Sequence, residues 1–128
     1  MTLSLHSEQE SPQEQVVAAL RGELLFKVGN DLDIAAELAH SLHTHHKEDV
    51  DALRLAMQQE CWPGVGRYAH RILNTAQLLG CGALVELSLR VEEKLVRDGG
   101  PACAELLAGY VPVVENLSAV LARVSRTF

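Results

Sequence analysis

A chain of 128 residues is long enough to form one domain around a single hydrophobic core without help from disulfides or metals. Hydrophobic residues make up 48 % of the chain but aromatic ones only 4 %, so Leu, Val and Ala must build the core, which favours packed helices over a β-sandwich or barrel. The formal net charge of -6 opposes the phosphate backbone of nucleic acids, and we therefore expect no nucleic-acid partner.

The beginning of the chain differs in composition from the rest. Residues 1–13 are rich in Ser, Glu and Gln and predict a flexible tail or linker, which leaves residues 14–128 for the domain. The tail lacks the basic start and apolar run of a signal peptide, and no stretch approaches the about 20 uninterrupted apolar residues of a membrane-spanning helix. We expect a cytoplasmic domain with no direct membrane insertion, although it could be one part of a larger membrane receptor.

Three cysteines are present, and none of them pairs with another in a C-x-x-C spacing. This odd number and wide spacing do not suit a zinc or redox site. We expect Cys61, Cys81 and Cys103 to be reduced, buried side chains that pack as small hydrophobic groups.

The apolar spacing predicts two helices in the first half of the chain. A short helix between Gln15 and Val28 is expected to lie over the domain as a lid, and it is closed by residues 29–30, a Gly-Asn pair that tolerates left-handed geometry. Asp31 or Asp33 can cap a much longer helix that continues to Glu60.

The second half of the chain predicts three more helices separated by short turns. Residues 61–64 interrupt the pattern, and the turns at residues 80–82 and 98–101 are rich in Gly. The helices are expected to end near Leu79, Arg97 and Ser125, and Gly109 and Pro112 are expected to kink the last one. Long helices joined by short turns predict an all-α fold, an antiparallel up-down four-helix bundle with a short extra N-terminal helix.

The helix that ends at Leu79 has two contrasting faces. Its predicted buried face contains Val65, Ala69, Ile72, Ala76 and Leu79. On the opposite side Arg67, His70, Asn74 and Gln77 follow one another at spacings of three and four residues and form one exposed strip. His70 is therefore expected to face outward, where its imidazole can meet a partner.

The run AHRILNTAQLLG at residues 69–80 resembles the signature of histidine-phosphotransfer domains. In that family an A-H-x-[LI]-K-G-[SA]-[SA] segment is followed by a Gly ten residues after the histidine, and Gly80 matches that structural turn. Glu92 falls where the family usually has Glu or Gln close to the histidine. The resemblance covers most of the chain after about Val16.

The resemblance implies that His70 takes a phosphoryl group from an aspartyl phosphate of a response-regulator receiver domain and passes it to another receiver. A neutral imidazole has a free ring nitrogen near neutral pH, and a hydrogen bond from one ring nitrogen to Glu92 would present the other as the nucleophile. The resemblance implies that Mg²⁺ and the phosphate-binding lysine come from the receiver, so the chain is expected to have no metal site and no cofactor. The sequence has no paired nucleophile and base and no nucleotide-binding motif, so we expect no intrinsic kinase or hydrolase activity. A hybrid sensor histidine kinase is a further expected partner.

The sequence departs from the family pattern at two positions after the histidine. Leu73 replaces the usual Lys and removes a cation, for which Arg67 and Arg71 can compensate. Asn74 replaces the usual Gly, and its side chain either crowds a receiver or donates a hydrogen bond to the phosphoryl oxygens. The predicted receiver-docking surface contains Arg67, Arg71, Leu73, Asn74 and Gln77, with Leu73 as an apolar contact. The alternative is a non-catalytic adaptor that binds receiver or kinase domains without phosphotransfer.

Four histidines cluster in the long helix that follows Asp31. His40, His43, His45 and His46 invite a zinc or nickel site, because imidazoles three residues apart share a helix face. No Cys or carboxylate completes a ligand set. We interpret them as surface polar residues near a break that the pattern leaves open at residues 46–47.

Overall fold

The computed structural model describes residues 11–128, and over that range the chain folds into helices with no strand. Most of the predicted tail lies outside the described residues, and the first helix begins at Pro12. The α-helices are α1 (Pro12–Lys27), α2 (Leu32–Gln58), α3 (Trp62–Leu79), α4 (Gly82–Asp98) and α5 (Ala104–Arg126), with a 3-10 turn (Gly100–Cys103) before α5. The all-α prediction is confirmed.

Helices α2 to α5 form the four-helix bundle, and side-chain pairs across its interfaces show how neighbours run. Asp49 in α2 contacts Arg71 in α3, and the turn between these two helices lies midway between them in the sequence. Ser88 in α4 is hydrogen-bonded to Tyr110 in α5, and the 3-10 turn lies about midway between those two residues. The members of each pair lie at nearly equal distances along the chain from the turn between them, as antiparallel hairpins require. Helix α3 also packs against α4, and α2 packs against α5, which closes the bundle.

The helix boundaries have local causes that the sequence largely predicted. The carboxylate of Asp31 accepts a hydrogen bond of 3.1 Å from the backbone N–H of Ile34, so Asp31 rather than Asp33 caps α2. Asn30 has a φ of 63° and Gly80 a φ of 70°, and both therefore lie in the left-handed region where they end a helix. Pro112 lies inside α5, which continues through it to Arg126.

The core is formed by one stripe of each helix. The most deeply buried large side chains include Leu24, Leu53, Ile72, Leu107, Tyr110 and Leu121. Among the described residues, the segment Gly100–Arg126 is the one that could cross a membrane by length and hydropathy. Its buried side chains, which include Leu107, Tyr110, Val114 and Leu121, belong to this core.

Helix α1 covers one end of the bundle, as the lid prediction required. Its buried side chains Val17, Leu20 and Leu24 join the common core. Arg21 ties it to the end of the chain, because its Nε donates to the hydroxyl of Thr127 at 3.1 Å and its guanidinium lies 4.6 Å from the ring centroid of Phe128.

The prediction that all three cysteines are buried is wrong. Cys103 is buried and its thiol donates to the carbonyl of Gly99, whereas Cys81 is half-buried and Cys61 is exposed. Cys61 stands at the N-terminal cap of α3, where the chain turns at the surface between two helices. All three thiols are free.

The interpretation of the four histidines is also wrong in part, because α2 has no break at residues 46–47 and His46 is fully buried. His46 lies on the same stripe of α2 as Val50 and Leu53, which turns it into the core. Its Nε2 donates to the backbone carbonyl of Val114 in α5 at 2.9 Å. Within residues 11–128, no three His, Cys, Asp or Glu side chains converge as a metal ligand set.

Candidate functional site

Helix α3 presents the two faces that the sequence predicted. Val65, Ala69, Ile72, Ala76 and Leu79 are all buried. Arg67, His70, Asn74 and Gln77 are all exposed. Gly80 ends the helix with a left-handed backbone, and its N–H contacts the carbonyl of Gln77. His70 thus stands near the middle of a regular helix that is anchored along its opposite side.

The imidazole of His70 is held by one carboxylate from the neighbouring helix. Its Nδ1 lies 2.9 Å from Oε1 of Glu92 in α4, and the side chains of His70 and Glu92 are 59 % and 25 % exposed. A carboxylate accepts hydrogen bonds, so Nδ1 carries the proton, and in the neutral imidazole Nε2 keeps its lone pair. Within residues 11–128, Nε2 has no hydrogen-bond partner, and the predicted contact between Glu92 and one ring nitrogen is present.

The part of α4 that carries Glu92 is fixed to the core by a polar contact. Ser88, one turn before Glu92, is fully buried, and its hydroxyl lies 2.7 Å from the hydroxyl of Tyr110 in α5. Burial raises the pKa of Tyr110 to about 12, with a further contribution from the negative charge of Glu92, so the phenol stays protonated near neutral pH. The carboxylate that contacts His70 therefore projects from a rigid support.

Arg71 of α3 is paired with a residue of α2, the helix on the other side of α3 from α4. Nε of Arg71 donates to Oδ1 of Asp49 in α2 at 2.7 Å, whereas His70 turns towards α4. Asp49 was absent from the residues that the sequence singled out. The signal was nevertheless there, because Asp49 follows His46 by three residues and precedes Val50 on the apolar stripe of α2, where a carboxylate is unusual.

The prediction that Leu73 contacts a docking protein is wrong. Its side chain is only 4 % exposed and belongs to the buried residues of α3. Position 73 follows Ile72 and lies one turn from both Ala69 and Ala76, so the core face of α3 is wide enough to include it. An apolar residue at this position fills the bundle and offers no contact at the surface.

An apolar groove, which sequence reasoning missed, adjoins the carboxylate of Glu92. It has a volume of about 450 Å³ and is lined by Trp62, Pro63, Gly66, Leu95, Val96 and Gly100 together with Glu92. The side chain of Val96 is 90 % exposed, one turn beyond Glu92. A Cβ at Gly100 would overlap the indole ring of Trp62, so the ring lies directly against the backbone at that point.

Comparison with protein-family models matches residues 37–127 of the chain to the Hpt domain. The virulence sensor protein BvgS of Bordetella bronchiseptica is 32 % identical over 73 residues, which are 57 % of this chain and 6 % of that protein. BvgS of Bordetella pertussis is 30 % identical over 73 residues, with the same shares of the two chains. No solved structure matches.

The chain therefore spans about 6 % of the length of these curated relatives, whereas the family model matches well over half of the chain itself. The match includes the whole of α3 and α4, and with them both His70 and Glu92. The chain belongs to the Hpt domain family, the histidine-phosphotransfer domains of two-component phosphorelays.

Proposed function

We propose that the protein is a phosphorelay intermediate in which His70 accepts a phosphoryl group from a receiver-domain aspartate and passes it to the aspartate of another receiver. The observation that carries the proposal is the contact of 2.9 Å between Nδ1 of His70 and Glu92 on a ring that is more than half exposed. It leaves Nε2 as the nucleophile on the water-facing side of a rigid helix.

The chemistry that these groups support is a direct displacement at phosphorus. Nε2 of His70 forms a bond to phosphorus while the bond between phosphorus and the receiver's carboxylate oxygen breaks, and the carboxylate leaves with the electron pair. The imidazole ring gains positive charge as the new bond forms. Glu92 stabilises that charge through the proton on Nδ1, and the same steps in reverse deliver the phosphoryl group to the next receiver.

The partners in this proposal are response-regulator receiver domains and a hybrid sensor histidine kinase. In this proposal the receiver supplies Mg²⁺, and transfer requires no cofactor, metal or kinase or hydrolase activity from the chain itself. The reaction takes place in the cytoplasm.

Incubation with a phosphorylated receiver tests the proposal. We expect the chain to acquire an acid-labile, alkali-stable phosphoryl label that is absent from His70→Gln, because a phosphorus–nitrogen bond of this kind hydrolyses in acid. His40→Gln, which changes an exposed histidine outside the site, serves as the matched control and should be labelled like the wild type. A label that persists in His70→Gln would contradict the proposal.

A non-catalytic adaptor is the alternative function, and one observation favours it. Leu73 is buried where the family usually has a lysine, and Asn74 stands exposed one turn after His70. An adaptor would bind receivers through this face without transfer. His70→Ala separates the two functions, since the relay loses signalling but keeps receiver binding, whereas an adaptor shows little change in output.

A further inference from the structure

Asp49 is a buried carboxylate whose ion-pair partner, Arg71, is the next residue after the proposed phosphoacceptor in α3. Its side chain is 6 % exposed, and its Oδ1 accepts a hydrogen bond of 2.7 Å from Nε of Arg71. Arg71 follows His70 in α3, and its own side chain remains 55 % exposed. The pair thus joins a buried anion to a guanidinium that faces water.

Stability alone does not account for a carboxylate at position 49. Removal of a carboxylate from water is costly, and a buried ion pair often stabilises a fold no more than apolar residues of the same volume. Asp49 lies on the buried stripe of α2 with Val50 and Leu53, where an apolar side chain would pack without that cost. The neighbouring His46 gives little help, because its imidazole is buried and burial lowers its pKa. The carboxylate therefore depends on Arg71.

The geometry of the pair leaves most of the guanidinium available. The hydrogen bond to Asp49 uses Nε, the donor nearest the backbone, so the Nη1 and Nη2 groups keep the other four of the five N–H donors. Among residues 11–128, Arg71 makes no other hydrogen bond or ion pair. A planar guanidinium that is fixed at its base and free at its tip suits the oxygens of a phosphoryl group.

We infer that Asp49 is a positioning residue for phosphotransfer, which holds Arg71 so that its Nη groups bind the phosphoryl oxygens beside His70. This inference rests on the proposed function. The bond from Nε2 of His70 to phosphorus forms as the donor's bond to phosphorus breaks, and Glu92 keeps the proton on Nδ1. Arg71 changes no covalent bond and offsets the negative charge on the moving group. It supplies on α3 a cation that Leu73 does not provide.

The test compares two phosphoryl donors on the full chain. One is a phosphorylated receiver, and the other is phosphoramidate, a small donor from which ammonia leaves with the electron pair of the broken phosphorus–nitrogen bond. The variants are Asp49→Asn, Arg71→Gln and the double variant. Glu115→Gln is the matched control, because it removes the carboxylate of an ion pair of 2.8 Å between α2 and α5 that lies away from His70.

We expect Asp49→Asn and Arg71→Gln each to slow the labelling of His70 on the order of tenfold with both donors, as the loss of a charge-assisted hydrogen bond implies. The double variant should be no slower than Arg71→Gln, since Asp49 acts through Arg71. Glu115→Gln should be labelled at the wild-type rate.

In this comparison of donors, three results would overturn the inference while the proposed function stands. They are a wild-type rate in Asp49→Asn, losses that add in the double variant, and a loss seen with the receiver but not with phosphoramidate. A wild-type chain that neither donor labels would instead contradict the proposed function, and the inference with it.

Folding is measured on every variant by circular dichroism and thermal unfolding. Because Asp49→Asn changes a buried group, Arg71→Lys provides a second test at an exposed position. Lys keeps the positive charge but lacks the planar guanidinium, whose Nε donates to Asp49 while its Nη groups bind phosphoryl oxygens. Labelling should therefore again be slower. A wild-type rate in Arg71→Lys would overturn the inference.

Discussion

At the scale of single residues, the proposed reactivity of His70 depends on the tautomer that Glu92 imposes on its ring. The carboxylate accepts the Nδ1 proton at 2.9 Å, which makes Nε2 the free nitrogen. Both residues could be predicted from the sequence, His70 from its place on the polar strip and Glu92 from the resemblance to the family.

Replacement of Glu92 tests this contact. Glu92→Gln keeps a hydrogen-bond acceptor but removes the negative charge, and we expect transfer to slow severalfold, since charge-assisted hydrogen bonds are about twice as strong as neutral ones. Glu92→Ala should slow it further. The measurement is the rate at which a phosphorylated receiver labels each variant.

The neighbouring Glu93 provides the matched control, because its carboxylate pairs with Arg97 at 3.1 Å on the exposed side of α4. Glu93→Gln should leave the rate unchanged. Transfer at the wild-type rate in Glu92→Ala would show that the contact has no role.

Asp49 and Leu73 show where residue-level prediction fails. Leu73 stands where the family usually has Lys, and that resemblance predicts a place at the docking surface, whereas the core face of α3 is wide enough to bury its side chain. The partner of Arg71 lies 22 positions away in another helix, and that distance hides the ion pair from any reasoning within one helix.

His46 predicts a pH dependence of stability. Burial lowers its pKa below the ordinary value of 6.5, an effect that the carbonyl of Val114 and the charge of Asp49 oppose only in part. The unfolded chain therefore binds a proton more readily than the folded chain once the pH falls below about 6.5. The free energy of unfolding should fall as the pH is lowered from there towards the lower pKa of the folded state, and His46 should contribute no such change above about 6.5.

Urea unfolding of the wild type and His46→Gln at pH 7.5 and pH 5.5 measures this effect. The Gln amide can still donate to the carbonyl of Val114 but does not titrate, so the variant should lose less stability on acidification than the wild type. His40→Gln, on the exposed side of α2, should behave like the wild type. An equal loss in His46→Gln and the wild type would refute the assignment.

At the scale of elements, the sequence did not predict the close contact between the start of α3 and the 3-10 turn. The indole of Trp62 lies against Gly100, so the first turn of α3 and the connection from α4 to α5 form one wall of the groove beside Glu92. The sequence predicted a turn at residues 98–101, but its contact with Trp62 depends on packing between distant segments.

Gly100→Ala tests this junction. The added Cβ would overlap the indole, and the forced displacement should lower the free energy of unfolding by about 1–3 kcal/mol and change the fluorescence of Trp62, the one Trp of the chain. Gly109→Ala is the control, since nothing lies within 4 Å of its Cβ and the residue is inside α5. It should stabilise the protein by about 0.5–1 kcal/mol and leave the fluorescence unchanged. Unchanged fluorescence in Gly100→Ala would rule out the close contact.

At the scale of the whole molecule, the fold was predictable because each helix carries its own local signals. The cap at Asp31, the left-handed Gly80 and the apolar stripes specify lengths and faces, and short turns then leave an antiparallel bundle as the compact arrangement. The site was predictable as far as one helix defines it. Beyond that helix, Glu92 was predictable from the resemblance to the family, whereas the role of Asp49 becomes apparent only when α2 and α3 pack together.

The bundle has several histidines, and we expect phosphoryl donors to modify one nitrogen atom of one of them. The chain has six histidines, of which His46 is buried, and only His70 combines an exposed ring with a carboxylate on Nδ1 among those that the structure describes. The architecture therefore specifies Nε2 of His70 as the acceptor.

Nuclear magnetic resonance of the ¹⁵N-histidine-labelled chain after phosphorylation measures this directly. We expect a coupling between phosphorus and Nε2 of His70, with the proton retained on Nδ1. A coupling to Nδ1, or to a ring nitrogen of any other histidine, would contradict it.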